Sequence, residues 1–305
     1  MVSKGLTGMT VSVVIVNYNS GDLLKKCVSL VLPQVCEVIV VDNASTDASI
    51  VDCDETLAKE DAFRAILNKA NLGFATACNQ GFYASKGDYV LFLNPDCYVD
   101  AFTISTLLRE ISETPLVGMV GGLLMNPDGT EQAGGRRAVP TPWRSFVRVL
   151  GMHRFASRWP RLFFEFNLHQ QPLPDKAIEV EAISGACMLV KRSAIEDVGV
   201  WDEGYFLHCE DLDWCMRFRQ KGWKILFVPD AKVVHYQGAC GRSCPTFVEW
   251  HKHKGMVRFY CKFFRHQYPG VLMWMVIFSV WLRFSLIAAL NIVKRAGKLF
   301  EAESA

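Results

Sequence analysis

Short apolar runs separated by polar turns dominate the first hundred residues. Val11–Val16 is a β-branched run of the kind that a strand buried on both faces requires. Asp22–Leu32 carries its apolar positions at helical spacing and stops at Pro33. Val38–Val41 predicts a second buried strand, Ala62–Leu67 a third and Tyr89–Leu93 a fourth. Phe74–Lys86 reads as a helix that ends near Gly87, and another helix is expected to begin near Ala101. Strand and helix alternating at this interval imply right-handed crossovers, an α/β fold and a mainly parallel sheet flanked by helices.

Ligands of such sheets gather at the carboxyl ends of the strands. Polar residues stand at those places here: Asn17, Tyr18 and Asn19, then Asp42 and Asn43, then Asn68 and Asn71, then Asn94 and Asp96. Any one would be an ordinary turn residue, but four successive strands ending this way exceed what turns need. No G-x-G-x-x-G follows the first strand and no G-x-x-x-x-G-K-[ST] occurs anywhere, so dinucleotide and P-loop binding are not signalled. A carboxylate at Asp42 can accept from a base imide or a ribose hydroxyl, or else cap the helix that Ser45–Asp47 would start. Asp96, on the proline-stiffened Asn94-Pro95-Asp96 turn, suits a single-carboxylate site for Mg2+ or Mn2+ that phosphate and water complete.

A second chemical signal follows Phe206. From Glu210 onward Leu212, Cys215, Met216 and Arg219 recur at steps of three and four, which places Glu210 and Asp211 at a helix start. Acids there complement the helix dipole, or one of them faces a cleft and takes a proton from an attacking hydroxyl. Asp213 adds a third carboxylate, a repulsion that a cap alone does not need.

Charge sharpens the picture. The 305 residues are half apolar with a formal charge of +2, yet residues 1–130 hold 8 basic against 15 acidic side chains and residues 251–305 hold 9 against 2. The acidic front half is a poor surface for nucleic acid. The basic tail contains Val271–Val293, close to the roughly 20 residues that a bilayer-spanning helix needs. Arg283 near its centre costs about 2.5–3.5 kcal/mol in a span, whereas a helix in the interface places Lys294, Arg295 and Lys298 among anionic headgroups. A buried or dimer-forming helix is the alternative reading. Residues 132–164 hold seven arginines and no acid, with Trp143, Phe146, Trp159, Phe163 and Phe164 among them. This reads as an insertion that contacts phosphate or lipid headgroups, or as a solvated basic surface. Eleven cysteines without disulfide-like spacing, and no secretory signal in Met1–Thr10, suggest reduced thiols facing the cytosol. Cys240 and Cys244 with His251 and His253 do not have a common zinc spacing.

Together these residues resemble the family 2 inverting glycosyltransferases of the GT-A fold, and within them the bacterial rhamnosyltransferase-like group. The resemblance rests on Val11–Asn19, Val40–Asp47, Asn71–Gly81, Leu93–Asp96, Ser184–Arg192, Trp201–Phe206, the Glu210-Asp211 pair and His235, in the family's order over roughly residues 10–240. It implies that Asn17, Asn19 and Asp42 hold the pyrimidine nucleotide and that Asn71 and Gly73 form the turn approaching its diphosphate. Asn94 and Asp96 match the metal motif, with Asn in place of the usual first acid; His235 matches a histidine that completes the metal site in some members. Asp211 matches the catalytic base and Glu210 its neighbour, while Gly185, Trp201 and Asp202 fall on the acceptor or donor-sugar side.

The implied protein has a catalytic domain over 1–250, with an insertion at 132–176, and a basic apolar helical region over 251–305. Its implied donor is dTDP-rhamnose, with UDP-hexoses second, and its acceptor a lipid-linked or growing saccharide of the cell envelope. Its implied place is the cytoplasmic face of the membrane, as a monomer or a homo-oligomer. A polyprenyl-phosphate glycosyltransferase and an inactive nucleotide-sugar-binding scaffold are the competing readings; retention of Asp96 and Asp211 speaks against the second.

Overall fold

The computed structural model describes residues 8–57, 61–149, 151–155, 158, 159, 163, 168–238 and 245–303. Its first half alternates β1 (Val11–Asn17), α1 (Asp22–Val31), β2 (Glu37–Asp42), α2 (Ser49–Leu57), β3 (Phe63–Leu67), α3 (Phe74–Ala84) and β4 (Tyr89–Leu93). Then come β5 (Cys97–Val99), α4 (Thr103–Glu113), β6 (Val117–Met125), β7 (Arg136–Arg137) and α5 (Pro142–Val149). The remainder is β8 (Ile178–Glu179), β9 (Ala182–Ile183), β10 (Cys187–Lys191), α6 (Arg192–Val198), α7 (Glu210–Gln220), β11 (Lys224–His235), α8 (Pro245–Phe264) and α9 (Gly270–Glu303).

The main sheet has the order β3-β2-β1-β4-β10-β6-β11-β5. β1 pairs parallel with β2 and β4, and β6 pairs parallel with β11, as the alternation predicts. Two insertions run the other way: β10 is antiparallel between β4 and β6, and β5 is antiparallel on β11. β1 shows why its run is uninterrupted. Val13 and Ile15 pack into one core with Leu24, Val28 and Leu107, while Val14 and Val16 pack into the other with Phe82 and Trp201. A strand covered on both faces has no solvent side to alternate toward. β3, at the sheet edge, keeps only Phe63 buried and leaves Leu67 exposed.

β11 carries a register slip on the way to the site. Its pairing with β6 slips between Val228 and Lys232, around Pro229, whose missing N–H cannot serve the ladder. Beyond the slip His235 pairs with Cys97 of β5, beside Asp96.

The arginine-rich segment is not simply a solvated surface. Arg136 is buried and donates to Glu131, Arg137 pairs with Asp211, and Arg144 donates to Glu181 at 2.6 Å. All nine cysteines among the described residues are free thiols, buried except for Cys36 and Cys261. Cys240 and Cys244 lie outside the described residues, and His253 is buried with its ring against Phe284 of α9.

Position 250 falls inside α8, which an ionic cluster fastens to the sheet-bearing part. Lys262 donates to Asp202 and to the fully buried Asp213, both at 2.6 Å, and Arg258 donates to Asp202 at 2.9 Å. α9 packs along α8 through Trp281 and Phe284 against Trp250. Gly270–Val293 of α9 is long and apolar enough to cross a membrane, with a mean hydropathy of 2.0 and only 11% of it buried. Val271, Met275, Phe278, Leu282 and Leu286 make its outer face apolar and exposed.

Candidate active site

The carboxyl ends of β1, β2 and β4 open onto a cleft of about 1060 Å3. Asn43, Asn71, Gly73, Asn94, Asp96, Gly185, Glu210, Asp211 and His235 line it, so most of the residues singled out from the sequence meet in one place. Asn17, Asn19, Asp42, Trp201 and Asp202 are not in its lining.

The first three of these brace the floor. Asn17 is fully buried and donates through Nδ2 to Asp42 Oδ1 at 2.7 Å and to Ser49 at 2.9 Å. Asp42 accepts in addition from the Ser45 backbone at 3.0 Å, but Ser45–Asp47 starts no helix: α2 begins at Ser49, whose backbone N–H donates to Asp47 at 3.1 Å. Asn19, at φ 52°, accepts from the Thr46 backbone at 2.7 Å. Such a network fixes the loops after β1 and β2 against one another. Trp201 sits in the core among Phe74, Phe92 and Trp214, and Asp202 belongs to the cluster that holds α8.

On one wall, Asn71 Oδ1 accepts from the Gly73 backbone at 3.0 Å and turns the chain into α3. Gly73 has φ +88°, and a Cβ there would lie 2.7 Å from the Phe206 carbonyl oxygen. Only glycine permits both the conformation and the approach. The Phe206 carbonyl in turn accepts from the Phe74 backbone at 2.8 Å, tying this turn to the loop before α7.

Asp96 and His235 face each other on the next wall. His235 Nε2 lies 3.2 Å from Asp96 Oδ1, and that oxygen is buried without a hydrogen-bond partner. Asp96, Cys97 and His235 bring their ligand atoms within 4.8 Å of one another. Cys97 is turned away, its thiol donating to the Ala186 carbonyl at 3.4 Å, while burial first and the Asp96 charge second push its pKa well up. The usable donors are therefore one carboxylate oxygen and one imidazole nitrogen. That is the sparse set from which a hexacoordinate cation takes its protein ligands, and the stranded oxygen fits such an occupant.

The start of α7 lines the same cleft. His208 and Cys209 both adopt left-handed backbone, at φ 68° and 70°, immediately before Glu210. This turn points the first carboxylates of the helix into the cleft. Asp211 Oδ2 accepts from Gly185 N at 3.2 Å and from Arg137 Nη2. Glu210 is buried, with Oε2 lacking a partner. Burial, and then the neighbouring Asp211 charge, lift its pKa well above the usual carboxylate range. Asp211 is thus paired with a guanidinium while its neighbour Glu210 favours the proton, which separates the surroundings of the two. Burial, and then the Lys252 charge, push His208 down to about 4, so it lines the cleft as a neutral imidazole.

Two members of the site are not readable from the sequence. Arg137 is one of seven arginines in its segment, and nothing in their spacing singles it out. Gln132, 3% exposed, lies 2.6 Å from His235 Nδ1 and stands in no motif.

Comparison with known proteins adds to this geometry. Residues 12–199 match glycosyl transferase family 2, and residues 135–294 match glycosyl transferase family group 2. The chain is 32% identical over 255 residues to N-acetylglucosaminyl-diphospho-decaprenol L-rhamnosyltransferase of Mycobacterium tuberculosis, covering 78% of this chain and 80% of that one. It is 25% identical over 166 residues to rhamnosyltransferase WbbL of Escherichia coli, covering 51% and 55%. Among solved structures, the mannosyltransferase PcManGT from Pyrobaculum calidifontis, in complex with GDP-Man and Mn2+, aligns with a TM-score of 0.56 at 18% identity, over 97% of this chain and 76% of that one. GalNAc-T7 with UDP, GalNAc and Mn2+ aligns with a TM-score of 0.57 at 20% identity, over 74% and 44%. The fold is the GT-A-like arrangement that the sequence motifs imply.

Proposed function

Because the chain belongs to glycosyl transferase family 2, we propose that this glycosyltransferase moves rhamnose from dTDP-rhamnose to a hydroxyl of a lipid-linked saccharide, with inversion. The observation that carries this reading is the meeting, in one cleft, of the Asp96–His235 pair with the Glu210–Asp211 pair. The names of the two rhamnosyltransferase relatives support the sugar, and that of the mycobacterial relative supports a lipid-linked acceptor.

Asp211 takes the proton of the acceptor hydroxyl as it attacks the anomeric carbon, a contribution of about 10²–10⁴-fold. The Gly185 N–H and the Arg137 guanidinium hold its Oδ2 edge, so the carboxylate is oriented before the acceptor arrives. Glu210 retains its proton near neutral pH and spares the site a second buried charge beside Asp211. Gly73 lets the main chain come close to the donor diphosphate, and Asn71 fixes that turn. Asp96 and His235 would hold Mg2+ or Mn2+, which offsets the negative charge that develops on the leaving diphosphate. The apolar face of α9 rests at the membrane, which brings the cleft to a lipid-borne acceptor.

Thermal stabilisation against dTDP, UDP, GDP and their sugars, with and without Mn2+, tests the donor, because a ligand of the folded state raises apparent stability. A shift with dTDP and dTDP-rhamnose that Mn2+ strengthens is the expected result. A shift with UDP ligands alone would keep the enzyme class and discard rhamnose. No shift with any nucleotide would contradict the transferase and the nucleotide-sugar-binding scaffold alike.

A further inference from the structure

Gln132 holds three hydrogen bonds at the edge of the cleft. Its Nε2 donates to Asn126 Oδ1 at 3.1 Å and to the His235 carbonyl at 3.3 Å, and its Oε1 lies 2.6 Å from His235 Nδ1. The direction of this chain is fixed from its surface end. Asp128 accepts from the Thr130 hydroxyl at 2.6 Å, which commits the hydroxyl proton. Thr130 Oγ1 is then left to accept from Asn126 Nδ2 at 2.9 Å, so Asn126 must turn its oxygen to Gln132. Gln132 in turn presents its oxygen to His235, and an amide oxygen can only accept. His235 therefore carries a proton on Nδ1, and in the neutral imidazole this leaves the lone pair on Nε2.

That lone pair faces Asp96 Oδ1, a buried oxygen with no hydrogen-bond partner, at 3.2 Å. A lone pair and a carboxylate oxygen facing each other repel, and a proton or a metal cation between them relieves the repulsion. We infer that Gln132 is a positioning residue, which sets the His235 tautomer so that Nε2 and Asp96 Oδ1 together take up a divalent cation. The inference rests on the metal reading of this site and goes beyond it, because it assigns the cause of the ligand geometry to the 126–132 hairpin. A partner of this kind on the far nitrogen of a ligating histidine orients the ring and raises its basicity, and its loss costs about 10–100-fold in metal affinity.

The test is Mn2+ titration of the full chain, followed by calorimetry and electron paramagnetic resonance, for the native protein, Gln132→Leu and Gln132→Glu. Leu removes the acceptor; Glu keeps one toward Nδ1–H. Gln132→Leu should weaken Mn2+ binding about 10–100-fold, with Gln132→Glu staying within about three-fold of the native protein. Long-range ¹⁵N NMR of His235 in the metal-free protein should find the proton on Nδ1. A folded Gln132→Leu variant that binds Mn2+ as the native protein does would overturn the inference. So would a Glu variant as weak as Leu, or a native His235 protonated on Nε2 alone. Should the Leu variant not fold, the Glu titration and the native tautomer decide. Absence of Mn2+ binding by the native protein would instead remove the metal site, and the inference with it.

Discussion

Arg137 Nη2 donates to Asp211 Oδ2, so a guanidinium from a segment 74 residues upstream holds the carboxylate that stands at the start of α7. The pair is mostly enclosed, with 20% and 15% of the two side chains exposed. Arg137→Met should therefore destabilise the protein by about 1–3 kcal/mol, the usual loss for a hydrogen bond to a charged group. Transfer should fall at least tenfold, since Asp211 loses one of the three groups that orient it, the other two being the Gly185 N–H and the Leu212 N–H. Urea denaturation with initial-rate assays checks both, and an unchanged rate would show that Arg137 only braces the fold.

Glu210 gives a prediction with a definite sign. Its pKa is raised in the folded protein, by burial and then by Asp211, so the folded state binds its proton more tightly than the unfolded chain does. The corresponding stability is complete below the unfolded value and is lost as pH rises through the folded one. Glu210→Gln should leave stability near pH 5 little changed and raise it relative to the native protein on the alkaline side. Parallel urea curves at pH 5 and pH 9 decide this; equal alkaline losses for the two proteins would contradict it.

Lys262 bridges Asp202 and Asp213, and Asp213 has no exposed surface. Lys262→Met leaves Asp213 with Arg217 as its remaining charged partner, donating to it at 2.7 Å. A loss of about 2 kcal/mol is expected for one charged hydrogen-bonding partner. Amide exchange should quicken in α8 before it does in β1 or β4. Asp202 adds an acid limb: burial opposes its ionisation, yet Lys262, the Gly204 N–H and Arg258 outweigh it and hold the pKa down to about 2. That share of stability is present above the unfolded value and is lost as pH falls toward 2, and Lys262→Met should shrink the loss.

Gly73→Ala places a Cβ 2.7 Å from the Phe206 carbonyl at a φ of +88°. The strain should cost about 1–3 kcal/mol and open the turn proposed to meet the donor diphosphate. Nucleotide affinity should fall more than stability alone explains, as a titration with dTDP would show. Equal nucleotide affinity in a stable variant would place the diphosphate elsewhere.

Much of this architecture was legible in the chain because burial on both faces leaves unbroken apolar strands, as in Val11–Val16 and Tyr89–Leu93. The helix from Glu210 was equally plain in its three- and four-residue spacing. The antiparallel β10 was not, since Cys187–Lys191 is another short apolar run and a run carries no direction. Strand-end polar residues showed where the cleft lies but not which way each one turns. Asn17 and Asp42 bond to each other and to Ser49 and Ser45, whereas Asn43 and Asn71 line the cleft. Arg137 and Gln132 escaped notice because their roles come from partners 74 and 103 residues away.

The central claim is that Asp211 is the base of a sugar transfer in this cleft. Its most direct test is a single-turnover assay of Asp211→Asn with dTDP-rhamnose and a lipid-linked acceptor, beside calorimetric dTDP binding. Transfer should slow about 10²–10⁴-fold with nucleotide affinity nearly unchanged. Transfer at the native rate by that variant would contradict the claim.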